Sequence, residues 1–446
     1  MNTPIADFLR AYAASGTARF HMPGHKGTPL LGCEPTDITE IRGADELFQA
    51  EGIIAESERN AAALFGAGRT LYSTEGATLP IKAMLALVAQ KARKTSTRVR
   101  ILAARNAHKS FLYGCALLDI DVDFLYGESA HLCECRISEG ALDDALKSTD
   151  APYCAVFVTS PDYLGNTLDV AALATVCRAH GVPLLVDNAH GAYQAFTAPV
   201  CHPIALGAAM CADSAHKTLP ALTGTAYLHI AKDADPYFAQ NAKQAMALFA
   251  STSPSYLLLQ SLDLCNAYLA AEFPAALALC TQRVSALKAK LTAAGYTLLG
   301  SEPLKLTVDG HARGYDGAAL AEALRSAGVE PEFADRDCVV LMCSPQNSEE
   351  ELARVASALL ALPARAEIEK STPVMPHNSK RACSIREAIL SPSVCVPVTE
   401  AEGRICAAPT VSCPPAIPIA VSGERIDENA IALFWYYGID SIRVVE

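Results

Sequence analysis

The chain has 446 residues, of which 51% are hydrophobic and 19% are charged, and its formal net charge at pH 7 is −12. This composition is sufficient for a large buried core, and the acidic balance argues against a nucleic-acid partner. The N-terminus has no basic region followed by an apolar one, and charge, Pro or Gly interrupts each apolar stretch before about 18 residues. We therefore expect a cytoplasmic protein without a membrane span.

Cysteine is frequent, with 16 copies, but no CxxC pair occurs. In a long chain without a secretion signal, most of these thiols are expected to be reduced and to fill small apolar spaces. A zinc site is the alternative, and we predict that the chain holds no metal.

Residues 4–15 have apolar positions at helical spacing and predict a short N-terminal helix. The loop 20–27 holds two histidines four residues apart, the spacing of a helical metal pair, but a Pro-Gly pair between them excludes a helix. With His25 and Lys26 as hydrogen-bond donors, this loop would suit an anionic or carboxylate-bearing ligand. An ordinary solvent-exposed loop is the alternative.

A short strand, a glycine-containing turn and a helix follow one another over residues 70–88. The turn contains Gly76 and Ala77, and the helix begins at Thr78. The free backbone N–H groups and the positive end of the helix dipole would therefore face an anion. We predict a phosphate-binding site here, although any capped helix has the same shape.

From residue 99 onward, strands and helices alternate, and several strands are continuous apolar runs, as parallel strands covered on both faces require. This order predicts an α/β fold with a mainly parallel sheet and helices on both faces. In such sheets ligands bind beyond the carboxyl ends of the strands, where Ser160, Asp187, His190 and Lys217 lie. The predicted strands are 99–103, 122–126, 153–158, 182–186 and 225–230, and helices are predicted at 108–118 and 170–179.

The segment 214–219 (Ser-Ala-His-Lys-Thr-Leu) follows a short apolar strand. A partly desolvated lysine there can have its pKa lowered until the amine attacks a carbonyl, and a surface lysine is the alternative for Lys217 taken alone. Asp187 ends a strand about one crossover earlier. A lysine that can form an imine, a buried aspartate that can hold a pyridinium proton and a phosphate cradle are the requirements for pyridoxal phosphate.

Beyond residue 230, long helical patterns reach residue 294, and residues 296–362 read as strand, strand, helix (317–326), strand (339–342) and helix (349–362). This order predicts a small α+β domain. A polar, Pro-containing linker follows, and the tail is Pro-rich before an apolar run at 431–437.

Taken together, motifs along nearly the whole chain resemble the Orn/Lys/Arg decarboxylase family, which are fold-type-I pyridoxal-phosphate enzymes, in its short form without an N-terminal wing domain. The resembling segments are 20–26, 37–41, 75–78, 108–110, 159–163, 186–191, 214–219, 414–418 and 423–424. The resemblance implies five parts, namely an N-terminal arm (1–30), a large pyridoxal-phosphate domain (31–275), a small α+β domain (276–362), a linker (363–380) and a C-terminal decarboxylase-type region (381–446).

The resemblance also implies roles for individual residues. Lys217 would form the Schiff base with the cofactor, and Asp187 would partner the pyridine nitrogen. His108 would stack on the ring, and His190 would lie near its phenolic oxygen and the substrate. The implied phosphate ligands are Gly76, Ala77, Thr78, Ser214 and His216.

For the substrate, the resemblance implies that Glu424 and the loop with His25 and Lys26 approach the site from the same or a neighbouring subunit of a homodimer or higher oligomer. Glu424 is the leading acidic partner for a distal cation. The chain departs from the family pattern at residues 75–78, where Asn-Gly-Thr-Ser is more usual, and at Asn188, which stands where Glu is common. Asp162 and Ala416 are further departures.

The resemblance implies decarboxylation of a basic L-amino acid (arginine, lysine or ornithine) to its amine and CO2 in polyamine-related metabolism. Lys217 and His190 are both candidates for returning the proton to the α-carbon. One alternative is another fold-type-I reaction, transamination or cysteine desulfuration; an aminotransferase needs an arginine to hold the α-carboxylate, and Arg313 or Arg325 could be that residue. A catalytically silent relative is the other alternative.

Overall fold

The computed structural model describes residues 1–95, 98–148, 151–371, 374–376, 379–409 and 416–446. The chain divides into two compact units. Unit 1 comprises Met1–Thr97 and Val170–Ala276, and unit 2 comprises Arg98–Asp169 and Leu277–Glu446. Each unit is built from two separate stretches of the chain, and the five-part division given above remains a prediction. Residues 414–415 of the tail motif and parts of the predicted linker lie outside the described residues.

The α-helices are α1 (Pro4–Ala14), α2 (Ile53–Leu64), α3 (Thr78–Ala92), α4 (Lys109–Leu118), α5 (Glu139–Lys147), α6 (Val170–Ala179), α7 (Ala215–Thr218), α8 (Pro236–Ala247), α9 (Tyr256–Ala271), α10 (Phe273–Ala293), α11 (Gly317–Ser326), α12 (Glu349–Leu360), α13 (Ile385–Leu390) and α14 (Glu428–Tyr436). The β-strands are β1 (Arg69–Ser73), β2 (Val99–Ala104), β3 (Ile120–Leu125), β4 (Ala155–Thr159), β5 (Leu184–Asp187), β6 (Met210–Asp213), β7 (Ala226–Ile230), β8 (Thr297–Leu299), β9 (Lys305–Asp309), β10 (Phe333–Ala334), β11 (Val339–Met342), β12 (Ser393–Pro397) and β13 (Ser441–Val445). Short 3-10 turns occur at Glu34–Thr36, Ala192–Phe196, His311–Arg313 and Val398–Glu400.

The strands of unit 1 lie in the order β1-β7-β6-β5. Strands β5 and β6 are parallel, whereas β7 is antiparallel to both of its neighbours. Ser73 and Asp213, the last residues of β1 and β6, pair with Ala226 and Tyr227 at the start of β7, and Asp187 ends β5 beside β6. The segments that follow β1, β5 and β6 therefore leave the sheet at one edge.

Burial explains why these elements form. Strands β5 and β6 are buried along their whole length, as their continuous apolar sequences predict. Helix α1 buries Ile5 and Leu9. The first N–H groups of this helix, those of Ile5 and Ala6, each donate to the Asp263 carboxylate at 3.0 Å, which satisfies donors that a helix N-terminus otherwise leaves unpaired.

Unit 2 contains the parallel strands β4-β2-β3, a four-stranded antiparallel sheet in the order β10-β11-β9-β8 and the antiparallel pair β12-β13. Capping side chains mark its helix starts. Asp316 accepts the N–H of Ala319 in α11, and Ser348 and Glu351 form a capping box at the start of α12. The prediction of an α/β fold with parallel strands is confirmed. The elements predicted over residues 296–362 are all present in the predicted order, with the additional short strand β10.

Among the described residues, no single helix has both the length and the apolar character needed to cross a membrane. Helices α9 and α10 pass this test as a pair, by length and composition, but they are bent by 77° at the break between them.

Candidate active site

Lys217 lies in the short helix α7, directly after the buried strand β6. Its Nζ is 3.1 Å from Nε2 of His190, which follows β5 and is itself buried. A protonated lysine can only donate, so Nε2 is the acceptor and the histidine carries its proton on Nδ1. The two strand ends predicted to meet at one edge of the sheet thus bring an amine and an imidazole into contact.

Asp187, the last residue of β5, is 3% exposed. Its Oδ1 accepts the N–H of Ala189 at 3.1 Å. Burial raises the pKa of Asp187 to about 6. The charge of Lys217 and the hydrogen bond from Ala189 lower this pKa, and the charge of Asp213 raises it further, so burial is the dominant effect. A carboxylate in this setting is stabilised when a cationic group lies against it.

The turn between β1 and α3 presents backbone N–H groups. Gly76 has φ of +63°, a left-handed conformation that favours glycine, and its N–H donates to the carbonyl of Gly224 at 2.7 Å. Ala77 occupies the N-cap position, and in the described chain no side chain caps this helix. The N–H groups at Ala77 and Thr78 are therefore suited to an anion.

Glu75 lies next to this turn, and a carboxylate that faced a phosphate there would oppose its binding. Its Oε1 accepts the N–H of Ser251 at 2.6 Å. The carboxylate is thus held by a backbone donor from the segment before α9.

Ser214 and His216 flank the lysine segment. Ser214 is 2% exposed and stands at the N-cap of α7 without making a side-chain cap bond. His216 Nδ1 lies 2.9 Å from the carbonyl of Thr225 and donates to it. Both residues follow β6 at the sheet edge where Lys217 and His190 meet.

Loop 20–27 belongs to unit 1 and is not helical, as predicted. His25 Nε2 lies 3.2 Å from the Asp37 carboxylate, and its Nδ1 accepts the N–H of Gly27 at 2.9 Å. Lys26 Nζ donates to the carbonyl of His21 at 2.6 Å. The donors expected to meet a ligand thus already have partners, Lys26 within the loop and His25 at Asp37.

Two predicted site residues, His108 and Glu424, belong to unit 2. His108 is the N-cap of α4, where its Nδ1 accepts the N–H of Ser110 at 3.1 Å. Glu424 is 3% exposed; its Oε2 accepts the N–H of Val421 at 2.8 Å and lies 3.8 Å from Arg105 Nη2. Burial raises the pKa of Glu424, and the Arg105 charge opposes the rise.

Glu424 also lines a cavity of about 480 Å³ within unit 2. Charged and hydroxyl-bearing side chains dominate its wall. The cavity is lined by Asp123, Phe124, Tyr126, Ser379, Lys380, Arg381 and Glu424.

Two family models match this chain. The model described as Orn/Lys/Arg decarboxylase, major domain, matches residues 3–299, and the model described as Orn/Lys/Arg decarboxylase, C-terminal domain, matches residues 367–439. The chain belongs to the Orn/Lys/Arg decarboxylase family. It is therefore an enzyme of the decarboxylase, or carboxy-lyase, type, and the resemblance noted in the sequence is confirmed.

Relatives of this family member cover almost its whole length. It is 29% identical to the uncharacterized protein YaaO of Bacillus subtilis strain 168 over 97% of this chain and 93% of that protein. It is 28% identical to an arginine decarboxylase of the same organism over 96% of this chain and 92% of that protein. The lysine decarboxylase LdcF of Francisella novicida has the same fold, with a TM-score of 0.79 and 16% identity over 100% of this chain and 81% of that one. The predicted fold-type-I architecture is thus confirmed.

Sequence reasoning did not single out one buried group beside the site of this decarboxylase. Asp213, the residue before Ser214, contacts Asn188, His202 and His229. These four residues do not form a recognisable sequence motif, because they lie far apart along the chain. The sequence indicates only that Asn188 and Asp213 are each adjacent to a predicted site residue.

Proposed function

We propose that this decarboxylase removes the α-carboxylate of a basic L-amino acid, arginine, lysine or ornithine, with pyridoxal phosphate as cofactor, and releases the amine and CO2. The observation that carries the proposal is the contact of 3.1 Å between Lys217 Nζ and His190 Nε2 beside a buried Asp187, in a chain of the Orn/Lys/Arg decarboxylase family.

The residues of unit 1 fit this cofactor. Asp187 is a buried carboxylate with a raised pKa, so its ionised form would be stabilised by a nearby cation. A protonated pyridine nitrogen would be such a cation. The uncapped start of α3 offers N–H groups at Ala77 and Thr78, and Ser214 adds a hydroxyl, so a phosphate would find donors there. Within the described chain, the Thr218 hydroxyl is also buried without a hydrogen-bond partner.

When bound, pyridoxal phosphate supplies an electron sink for the electron pair of the breaking carbon–carboxylate bond. Lys217 would hold the cofactor through its amine and, once released by substrate, would carry a proton on Nζ. His190 Nε2 can accept that proton at 3.1 Å. Either atom could return the proton to the α-carbon.

We assign substrate recognition to Glu424, His25 and Lys26. The Glu424 carboxylate would meet the distal cationic group, which is the feature that distinguishes arginine, lysine and ornithine from apolar amino acids. The donors of the loop with His25 and Lys26 would exchange their present partners for a carboxylate. We further propose that His108 stacks on the cofactor ring, and that the protein acts in the cytoplasm as a homodimer in polyamine-related metabolism.

Purified chain incubated with pyridoxal phosphate tests the proposal in two stages. Visible absorbance and, after borohydride reduction, mass spectrometry should locate the cofactor on Lys217. Arginine, lysine and ornithine are then supplied separately while CO2 and amine are measured. Bound cofactor without CO2 from any of the three would overturn the decarboxylase assignment, and amino transfer to a 2-oxo acid would favour the aminotransferase alternative.

A further inference from the structure

Asp213 lies at the centre of a buried polar cluster behind the lysine segment. Its Oδ1 accepts the side-chain N–H of Asn188 at 2.8 Å, and its Oδ2 accepts Nε2–H of His202 at 2.9 Å. His229 Nε2 lies 3.4 Å from the same Oδ2. Asn188, His202, Asp213 and His229 are all fully buried. A carboxylate removed from water in this way needs several donors, and Asn188 and His202 supply hydrogen bonds to it.

The two histidines keep this carboxylate ionised. Burial raises the pKa of Asp213, but His202 and His229 outweigh burial and hold the pKa well below its usual range. His229 is fixed in turn, because its Nδ1 lies 2.8 Å from the Thr70 hydroxyl in β1. Asp213 is therefore an oriented negative charge with a defined set of donors.

The Asn188–Asp213 hydrogen bond joins the two segments that carry the site. Asn188 follows Asp187 directly and precedes His190 by two residues, and its backbone N–H donates to the carbonyl of Ala212 at 3.0 Å. Asp213 precedes the Ser214–Lys217 segment. A hydrogen bond between the two side chains therefore fixes the end of β5 relative to the end of β6. Asp187, His190 and Lys217 lie at or just after these two strand ends.

We propose that Asn188 and Asp213 are positioning residues that set the affinity of this enzyme for pyridoxal phosphate by holding Asp187 and Lys217 in register. The inference rests on the proposed function. In this hydrogen bond the Asn188 amide must be the donor and the Asp213 carboxylate must be the acceptor, because an ionised carboxylate cannot donate. A carboxylate at position 188 would face another carboxylate here.

A metal site is the competing arrangement for the same side chains. Cys211 Sγ lies 3.9 Å from His202 Nε2 and 3.7 Å from Asp213 Oδ1, so His202, Cys211 and Asp213 could surround an ion. The separation of 2.9 Å between His202 Nε2 and Asp213 Oδ2 is an ordinary hydrogen-bond distance. Metal analysis of the wild-type chain separates the two arrangements.

The test compares pyridoxal phosphate affinities measured by equilibrium dialysis. Asn188→Asp places two buried carboxylates in contact and should weaken binding at least about tenfold. Combining Asn188→Asp with Asp213→Asn reverses donor and acceptor, because the amide at 213 can donate to position 188 while its oxygen still accepts from His202. This exchange should restore the affinity to within about threefold of wild type, a rescue that a packing role would not give.

Asp263→Asn is the matched control, since it changes another buried aspartate of unit 1 that accepts N–H groups of α1. It should leave the affinity for pyridoxal phosphate unchanged. If Asn188→Asp does not fold, Asn188→Ala, which adds no charge, should still weaken binding by several-fold.

Three results would overturn the inference. They are wild-type affinity in both Asn188 variants, an exchange variant no better than Asn188→Asp, and one tightly held metal ion per wild-type chain. If wild-type protein does not bind pyridoxal phosphate, the proposed function is wrong, and this inference is wrong with it. Binding to the wild type is therefore measured before the variants are compared.

Discussion

His190 Nε2 accepts a hydrogen bond from Lys217 Nζ across 3.1 Å, although the two residues follow different strands of the sheet. The contact places an imidazole nitrogen where it can take a proton from the amine. A lysine must lose its proton before it can act as a nucleophile, so His190 would support the nucleophilic role that we propose for Lys217.

Replacing Lys217 by Ala should abolish covalent retention of pyridoxal phosphate and lower kcat by at least about a thousandfold, because the nucleophilic amine is lost. Borohydride reduction followed by mass spectrometry measures the first effect, and CO2 release measures the second. Lys232→Ala, at an exposed position of the same unit, is the matched control and should retain both properties. Cofactor bound covalently at another lysine in Lys217→Ala would contradict the assignment.

Replacing Asp187 by Asn should stabilise the cofactor-free chain at pH 8 by on the order of 3 kcal/mol. The pKa of Asp187 is raised to about 6 in the folded chain from its ordinary 3.8, so the folded state holds the proton more tightly. As pH rises from about 4 to about 6, the unfolded chain is deprotonated first, and wild-type stability falls.

The gain from Asp187→Asn should therefore disappear near pH 4 and be complete above pH 6. Urea unfolding of cofactor-free wild type and variant at both pH values provides the comparison. An equal difference in the free energy of unfolding between wild type and variant at pH 4 and pH 8 would mean that burial does not destabilise the ionised carboxylate of Asp187. The same variant should bind pyridoxal phosphate more weakly, because it no longer offers a negative charge to the ring nitrogen.

Replacing Glu424 by Gln should lower kcat/KM for the preferred basic amino acid about ten- to a hundredfold, since a charged hydrogen bond to the distal cation is lost. Activity toward norleucine, which lacks the distal amine of lysine, should not fall. Glu400→Gln, at an exposed position of unit 2, is the control for loss of one negative charge. An equal loss for both substrates would assign Glu424 to the fold, through Val421 and Arg105, and not to recognition.

Replacing Glu75 by Gln should change the affinity for pyridoxal phosphate by less than about threefold. The Glu75 carboxylate accepts the Ser251 N–H at 2.6 Å, and the amide oxygen of glutamine can accept the same bond. Equilibrium dialysis provides the measurement. Binding that becomes more than tenfold tighter would show that the wild-type carboxylate repels the phosphate.

Long elements with a clear pattern were predictable from the sequence. Residues 170–179 and 317–326 are helices at the bounds that their apolar spacing predicts, and β11 spans the predicted residues 339–342. The short helix α7 and the two-residue strand β10 were not predicted. Elements of this size have too few residues for a period to show, and they depend on contacts with distant parts of the chain.

The residues of the candidate site also fall into those that the sequence predicted and those that it did not. Asp187, His190 and Lys217 were expected at one edge of the sheet because each follows a recognisable strand. The partners of Asp213 could not be found from the sequence. Asn188 and His229 approach it through the pairing of β5, β6 and β7, and His202 approaches it from the irregular segment before β6. The orientation of Glu75 was equally hidden, because the N–H that holds it belongs to Ser251, far along the chain.

The hydrogen bond from Gly76 N–H to the carbonyl of Gly224 has a consequence for the order of events during synthesis. The turn before α3 leaves the ribosome early, but β1 has no neighbour in unit 1 until β7 has emerged. A nascent chain that stops before residue 214 therefore lacks both the lysine segment and the strand β7 that pairs with β1. Under the proposed function, the cofactor would be held only after roughly the middle of the chain has been translated. Ribosome-bound fragments ending before and after β7 should then differ in their ability to retain pyridoxal phosphate.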